Sequence, residues 1–315
     1  MTWLASVRRS VGELRARTVE RIAKRQLEEM RRQLAELRAG SAAEARVAAT
    51  YRDATRDELL RHSLQTRLMT CRRIWRSMPF GRDPEPLSMQ PVDFDRDLQQ
   101  LEQLHPHLFA TWRQINLVDN PVEYAARPSS SCSVGLGRTE QPFAGFIAPY
   151  LEGRVLDLGC GPHAVPSYLR DYPTRLVSGI DPLEPFEPHP FQFARGFGEF
   201  LPWADHAFDV VVNATSLDHC LSLDRVAEEI VRVLRPGGLF LVWEGFIRGS
   251  VPYRPSDPDL RPVDQFHLFH FDRPWFEDYF GRSFEIVERV ALDDPPWSEA
   301  SASNYFYALR RRDRQ

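Results

Sequence analysis

The chain has 315 residues, 43% hydrophobic and 27% charged, enough for one full α/β domain plus a substantial accessory region. No run of about 18 apolar residues is present, which argues against a membrane-spanning helix, and Arg8, Arg9, Glu13, Arg15 and Arg17 break up the stretch a secretory leader needs. The net charge of −4 hides an asymmetry: 18 basic and 9 acidic residues fall in 1–80, against 22 and 35 beyond.

A basic arm on an acidic body is compatible with a solvated helix surface or with peripheral contact at an anionic membrane. The acidic remainder argues against nucleic acid as a partner, because a nucleic-acid face is ordinarily basic. Cys71, Cys132, Cys160 and Cys220 lie far apart with no CxxC pair, so free thiols in a reducing compartment are expected, and a cytoplasmic protein with them.

In chain order, residues 2–39 hold no proline, and Leu4, Val7, Val11 and Leu14, then Leu27, Met30, Leu34 and Leu37, recur at heptad-like spacing. Gly40-Ser41 is a plausible stop. A second helical stretch offers Val47, Tyr51, Leu60, Leu64, Leu68, Cys71 and Trp75 as an apolar face. Residues 1–80 thus read as a helical arm, folded as a hairpin or joined to a second copy as a coiled coil. Pro79, Pro84, Pro86 and Pro91 with Gly81 stiffen a linker. A helical segment from Phe94 to Asn116 and a Ser/Gly-rich stretch follow, so 81–140 reads as linker and cap helices and 141–315 as the main domain.

From Gly153, short apolar runs alternate with helical stretches, the pattern of a parallel sheet covered on both faces. Strands are expected at Arg154–Leu158, Leu176–Ile180, Phe191–Ala194, Phe208–Asn213, Leu239–Trp243, Phe284–Arg289 and Tyr305–Leu309. Helices are expected at Ala164–Asp171, Leu223–Leu234 and Pro274–Phe280, the last with Asp272 as cap. Arg235-Pro236-Gly237-Gly238 marks a helix stop and turn.

"VLDLGCGPHAVPSYL" (Val155 to Leu169) reads as a strand, a turn freed by Gly159 and Gly161, and a helix whose N-terminus offers unpaired donors. That suits a nucleotide-like cofactor, but the GxGxxG spacing of a dinucleotide site is lacking. About twenty residues on, "LVSGIDP" puts Asp181 at a strand end, where a carboxylate accepts ribose hydroxyls.

With "GEFLPWADHAFDVVVNATSLDHC" and "AEEIVRVLRPGGLFLV" in order behind them, these motifs make Val155 to Trp243 resemble the class I S-adenosylmethionine-dependent methyltransferases, of the subgroup often labelled type 11. The resemblance covers neither the N-terminal 80 residues nor Arg248–Phe271. It implies a Rossmann-like seven-stranded sheet ending in an antiparallel hairpin, S-adenosyl-L-methionine as cofactor, and methyl transfer. It places Gly159 and Gly161 along the methionine and ribose, Asp157 at the amino end, directly or through water, Asp181 on the ribose, Phe197 and Gly198 beside the adenine, and Asn213 near the sulfonium. Two positions depart from the pattern: His163 replaces a common third glycine, and Phe197 a common acid.

The acceptor is expected to be a small molecule or glycan methylated on oxygen. His219 is the first candidate base, because the resemblance puts "SLDHC" in the acceptor-facing loop. His267 and His270, in "DQFHLFHFDRPWFEDYF", are further candidates for a base or orienting role. With Asp264 they have donors for a metal, but none is expected. Tyr253, Phe266, Phe269, Phe271 and Trp275 are candidate pocket walls. The alternative is a cofactor-binding scaffold without turnover, recruited through the arm.

Overall fold

The computed structural model describes residues 56–77, 85–135, 139–247, 253–255, 257, 259–292 and 302–313, in two compact units: 1–80 with 144–149, and 81–143 with 150–315. The heptad-like repeat of 2–39 and the Gly40-Ser41 stop lie outside the described residues, and so do the oligomer and membrane expectations attached to them.

Within the first unit, helix α1 (Leu64–Ser77) buries Leu68, Cys71 and Trp75, whose spacing of three and four residues aligns them on one face. Arg67, 5% exposed, caps the preceding turn by donating to the carbonyls of Leu60 and His62 at 2.7 and 3.0 Å.

The second unit opens with α2 (Phe94–Leu104) and α3 (Pro106–Gln114), so the single helical segment expected over Phe94–Asn116 divides at His105-Pro106. The chain continues without a break through a π-helical turn, Ile115–Asp119, into α4 (Asn120–Ala126). Helix α5 spans Glu140–Ile147.

The sheet follows: β1 (Val155–Leu158), β2 (Val177–Asp181), β3 (Gln192–Arg195), β4 (Phe208–Ala214), β5 (Leu234–Ile247), β6 (Phe284–Leu292) and β7 (Ala302–Arg311). Its order is β3-β2-β1-β4-β5-β7-β6, with β7 antiparallel to both β5 and β6. All seven expected strands and the terminal hairpin are present. Central strands β1 and β2 are buried along their whole length, as a parallel sheet covered on both faces requires. Helix α6 (Leu223–Val233) lays Leu223, Val226, Ile230 and Val233 against the core, and α7 (Arg273–Gly281) inserts Phe276 and Phe280. Asp272 is the N-cap residue of α7 by position, but its side chain makes no capping bond. The Arg235–Gly238 turn lies inside the first residues of β5, where the pairing with β4 jumps from Phe208↔Leu234 to Val210↔Leu239.

One element is corrected: no helix forms over Ala164–Asp171. Pro162, Pro166 and Pro173 cut that stretch into pieces too short for α-helix, and it closes instead as successive turns, Leu169 N to Pro166 O and Tyr172 N to Leu169 O. The helix N-terminus expected to face the cofactor is therefore absent. The strand order reverses between β1 and β4, and the crevice beyond their C-terminal ends is where an open α/β sheet receives a ligand.

Phe240, fully buried on β5, has the rings of Phe280 and Phe284 5.7 Å away. Phe240→Ala is expected to cost about 3–5 kcal/mol, read as a lower urea midpoint with an unchanged slope. An alanine variant as stable as the parent would show that β5 does not bear on α7 there.

Candidate functional site

The crevice is a cavity lined by the loops after β1, β2, β3 and β4, by residues 112–133, and by Phe266 and His267 from the loop after β5. After β1 the chain turns at Gly159 and Gly161, both at positive φ (77° and 73°), a region that disfavours any side chain. The Gly161 N–H donates to Asp181 Oδ2 at 2.8 Å, and Leu183 N–H to Oδ1 at 2.9 Å, which aims the carboxylate from the end of β2. Leu158, Ile180, Pro182, Leu183, Phe197 and Gly198 supply an apolar wall beside it.

The acids here are displaced from ordinary behaviour. Burial pushes the Asp181 carboxyl up to about 6 in spite of its two backbone donors. Burial pushes Asp157 up to about 8, the Tyr168 hydroxyl bond opposing and the charge of Asp181 reinforcing the shift. Glu199 is raised by burial, against N–H bonds from Ser222 and Leu221. Among the described residues the lining carries Glu123, Asp181 and Glu199 and neither Lys nor Arg. That donor set disfavours a pyrophosphate and suits a cationic cofactor with a free diol. S-adenosylmethionine, with its sulfonium, ammonium and ribose, fits it.

The loop after β4 is locked to β1. Asn213 Nδ2 and Ser216 Oγ both reach the Leu158 carbonyl at 2.9 Å, and Thr215 is held at φ 52°, a costly conformation for a β-branched residue. His219 then meets the cap helices. Its Nδ1 lies 2.8 Å from Asn116 Oδ1, whose amide nitrogen donates to the Trp112 carbonyl, and Trp112 Nε1 donates to the His219 carbonyl at 2.7 Å. This pattern assigns the proton to Nδ1 and leaves Nε2 as a lone pair. Burial lowers the pKa of His219, with Asp218 opposing, so the ring is held neutral. The π-helical turn makes this fit: it carries Asn116, and Asn120 follows directly, both buried against His219.

His267 joins from the long loop after β5, its ring 4.9 Å from that of His219 and its Nδ1 2.9 Å from both oxygens of Asp264. Burial opposes ionisation of Asp264, but the Phe266 N–H, His267 and His270 together bring its pKa below the usual value.

Of the residues expected from sequence, Gly159, Gly161, Asp181, Phe197, Gly198, His219 and His267 line this cavity. Asp157 does not reach its wall: it is fully buried behind Tyr168, whose hydroxyl touches both its oxygens at 3.1 Å. Asn213 stands outside the lining as a buried tie between β1 and β4, and its neighbours Ala214, Thr215 and Ser216 form that part of the wall. His270 stands behind His267, 3.2 Å from Asp264. Among the expected aromatic walls only Phe266 lines the cavity; Phe269 and Phe271 belong to the core, and the Tyr253 hydroxyl bridges Leu221 O and Leu223 N. The ring of Phe197 packs on Phe94 and Trp112. His163 packs against Phe186, away from the cavity.

Sequence reasoning missed Asp218, Tyr168, Asn116, Asn120 and Ser131–Ser133. Asp218 had a signal, its place beside His219 in "SLDHC". Asn116 and Asn120 had one too, the one-turn spacing that puts two amides on one helix face.

Residues 156–242 match the family described as "Methyltransferase domain". The chain is 31% identical over 165 residues to a glycine/sarcosine/dimethylglycine N-methyltransferase of Actinopolyspora halophila, a match covering 47% of this chain and 28% of that one. It is 32% identical over 108 residues to a fatty-acid O-methyltransferase of Mycolicibacterium smegmatis, covering 31% and 39%. Among solved structures it is similar to a Burkholderia thailandensis 1,6-didemethyltoxoflavin-N1-methyltransferase with bound S-adenosylhomocysteine, at 15% identity and TM-score 0.48, covering 72% of this chain and 94% of that one. The chain spans less than two thirds of the length of the curated relatives named by these sequence matches. The match runs from β1 through the glycine turn into β5, so residues 156–242 are similar to a methyltransferase domain, and they lie in a sheet of Rossmann-like strand order.

Asp157 and Asp181 set a pH dependence. Their folded values of about 8 and about 6 exceed the ordinary 3.8, so between these limits the fold holds protons that the unfolded chain releases. Their contribution is present at low pH and is lost as pH rises through 6 and then 8. Asp157→Asn is therefore expected to gain on the parent as pH rises from 6 to 8, in urea midpoints of the cofactor-free protein. A constant difference across that window would mean that Asp157 is already ionised in the fold.

Proposed function

We propose that this protein transfers a methyl group from S-adenosylmethionine to a hydroxyl oxygen of a small-molecule or glycan acceptor. The observation that carries this reading is a single cavity with the glycine turn and Asp181 at one end and His219 and His267 at the other. When bound, the cofactor supplies a methyl group on a sulfonium, whose departing sulfur needs no proton.

The protein's part is alignment, exclusion of water and help for the nucleophile. Asp181, already held by two N–H donors, keeps lone pairs free for ribose hydroxyls. Leu158, Ile180, Pro182 and Leu183 cover an apolar base. Trp112, Tyr124 and Phe266 add aromatic surface to the lining, which supports exclusion of water. A neutral amine is already nucleophilic, whereas a hydroxyl gains from losing its proton. The unengaged Nε2 atoms of His219 and His267 mark the wall at which that loss is assisted, and this supports oxygen over nitrogen.

Calorimetric titration with S-adenosylmethionine and S-adenosylhomocysteine tests the cofactor end. Asp181→Ala is expected to weaken both by about 100-fold, two charge-assisted hydrogen bonds being worth roughly 3 kcal/mol together. S-adenosylhomocysteine formation across glycosides, phenols and amines then tests the acceptor. Turnover with amines alone would end the oxygen reading and leave the methyltransferase reading standing. No cofactor binding by folded protein would end both.

A further inference from the structure

Directly behind the His219 and His267 wall of the cavity lies a further ionisable group. Asp218 sits in the turn Leu217–His219 directly after β4 and is 6% exposed. Its Oδ1 is buried without a hydrogen-bond partner, an arrangement that is costly for a carboxylate. The nearest candidates stand too far for hydrogen bonds: His219 Nε2 is 3.9 Å from Oδ1, and His267 Nε2 and His270 Nδ1 are 3.8 and 3.9 Å from Oδ2. Carboxylate and imidazole nitrogens therefore surround a gap without bridging it.

We propose that Asp218, His219 and His267 bind a divalent first-row transition ion, and that the acceptor's hydroxyl oxygen takes one of its open positions. The acceptor half of this statement rests on the O-methylation reading; the metal half does not.

Ligand atoms of these three residues all lie within 4.8 Å of one another. Metal–ligand lengths of about 2.1 Å put neighbouring ligands roughly 3–3.5 Å apart, so each side chain need draw in by only about 1 Å. Both imidazoles are oriented for the task. His219 gives Nδ1 to Asn116 and His267 gives Nδ1 to Asp264, so each presents Nε2, and a partner on the far nitrogen is the usual companion of a metal-binding histidine. Asp264 is itself fixed by the N–H groups of Phe266 and His267 at 2.7 and 2.8 Å. His270, 3.2 Å from Asp264, braces that pair from behind.

Two imidazoles and one carboxylate with open positions select manganese, iron, cobalt, nickel or zinc over magnesium or calcium, which prefer oxygen alone. Cys220 adds no thiolate, since its thiol is directed at the Ser216 carbonyl at 3.4 Å. His219 and His267 border the same cavity as the glycine turn, so an open position faces the acceptor. A hydroxyl bound there releases its proton to water at far lower pH than it does free, as water on zinc does. Acceptors with a second oxygen on the adjacent carbon fill two positions at once, which names vicinal diols and catechol-like phenols as the class.

Titration of the full-length, cofactor-free protein with Co²⁺ tests the site, because its visible bands report imidazole and carboxylate ligation directly. The parent is expected to bind one equivalent that Zn²⁺ displaces. Asp218→Asn and His267→Gln, each confirmed folded by circular dichroism and thermal midpoint, are expected to lose the bands or to bind at least about tenfold more weakly. Asp264→Asn, which weakens the hold on the His267 ring without removing a proposed ligand, is expected to weaken binding by about 10- to 100-fold. A folded parent that binds neither ion, or variants that bind as the parent does, would overturn the proposal. Calorimetry with S-adenosylmethionine on the same samples separates the two readings. Cofactor binding without metal removes the ion alone, and metal binding without the cofactor removes the methyltransferase reading alone.

Discussion

The carbonyl of Leu158, the last residue of β1, is the point from which the site is built. Asn213 Nδ2 and Ser216 Oγ both reach it at 2.9 Å, which ties the end of β1 to the end of β4 at the place where the sheet reverses its order. The tie dictates the neighbouring residue. A Cβ on Gly159 would stand 2.1 Å from Ser216 Oγ, so glycine is required by space as well as by its positive φ. The same tie holds Thr215 in a left-handed conformation, with its hydroxyl 2.7 Å from Cys132 Sγ in the cap region. The glycine turn after β1 and the loop after β4 are thus held together. The turn lacks a helix N-terminus, so its hold on a ligand comes from Asp181 and shape rather than from a helix dipole.

Charge follows from that geometry. The cavity gathers carboxylates without a Lys or Arg among the described residues of its lining, and burial, helped at the neighbouring Asp157 by the charge of Asp181, raises the pKa of both Asp157 and Asp181. A positively charged ligand relieves this strain by pairing with the ionised forms, whereas an anionic one adds to it. A lining of this charge favours a cationic ligand over an anionic one.

How far the sequence disclosed this differs by element. Strands were legible because central parallel strands must be apolar on both faces, and "VLDL", "VSGI" and "VVVNA" meet that demand in isolation. The segment 164–171 misled because its apolar spacing is helical while Pro166 and Pro173 forbid the hydrogen bonds. Gly159, Gly161 and Asp181 were legible because packing alone seldom calls for a two-glycine turn followed, at a set distance, by an acid at a strand end. The role of Asn213 was not, because a buried amide can serve a ligand or a neighbouring carbonyl equally, and only the fold decides which. The cap was least visible: Trp112, Asn116 and Asn120 act on His219 across about a hundred residues, and no local pattern encodes a partner at that distance.

That long-range contact also decides what His219 can do. A histidine in a loop after a strand turns freely unless its far nitrogen is engaged. Here the π-helical turn, by adding a residue to the helical repeat, swings Asn116 onto Nδ1 while Trp112 holds the main-chain carbonyl of the same residue. His267 receives the equivalent constraint from Asp264, a residue three positions away on its own loop. One imidazole is thus oriented by a remote element and the other locally, yet both present Nε2 beside Asp218. Two unrelated devices converging on one outcome are hard to attribute to packing, since packing is indifferent to which nitrogen faces inward. A requirement for two lone pairs beside one carboxylate accounts for both.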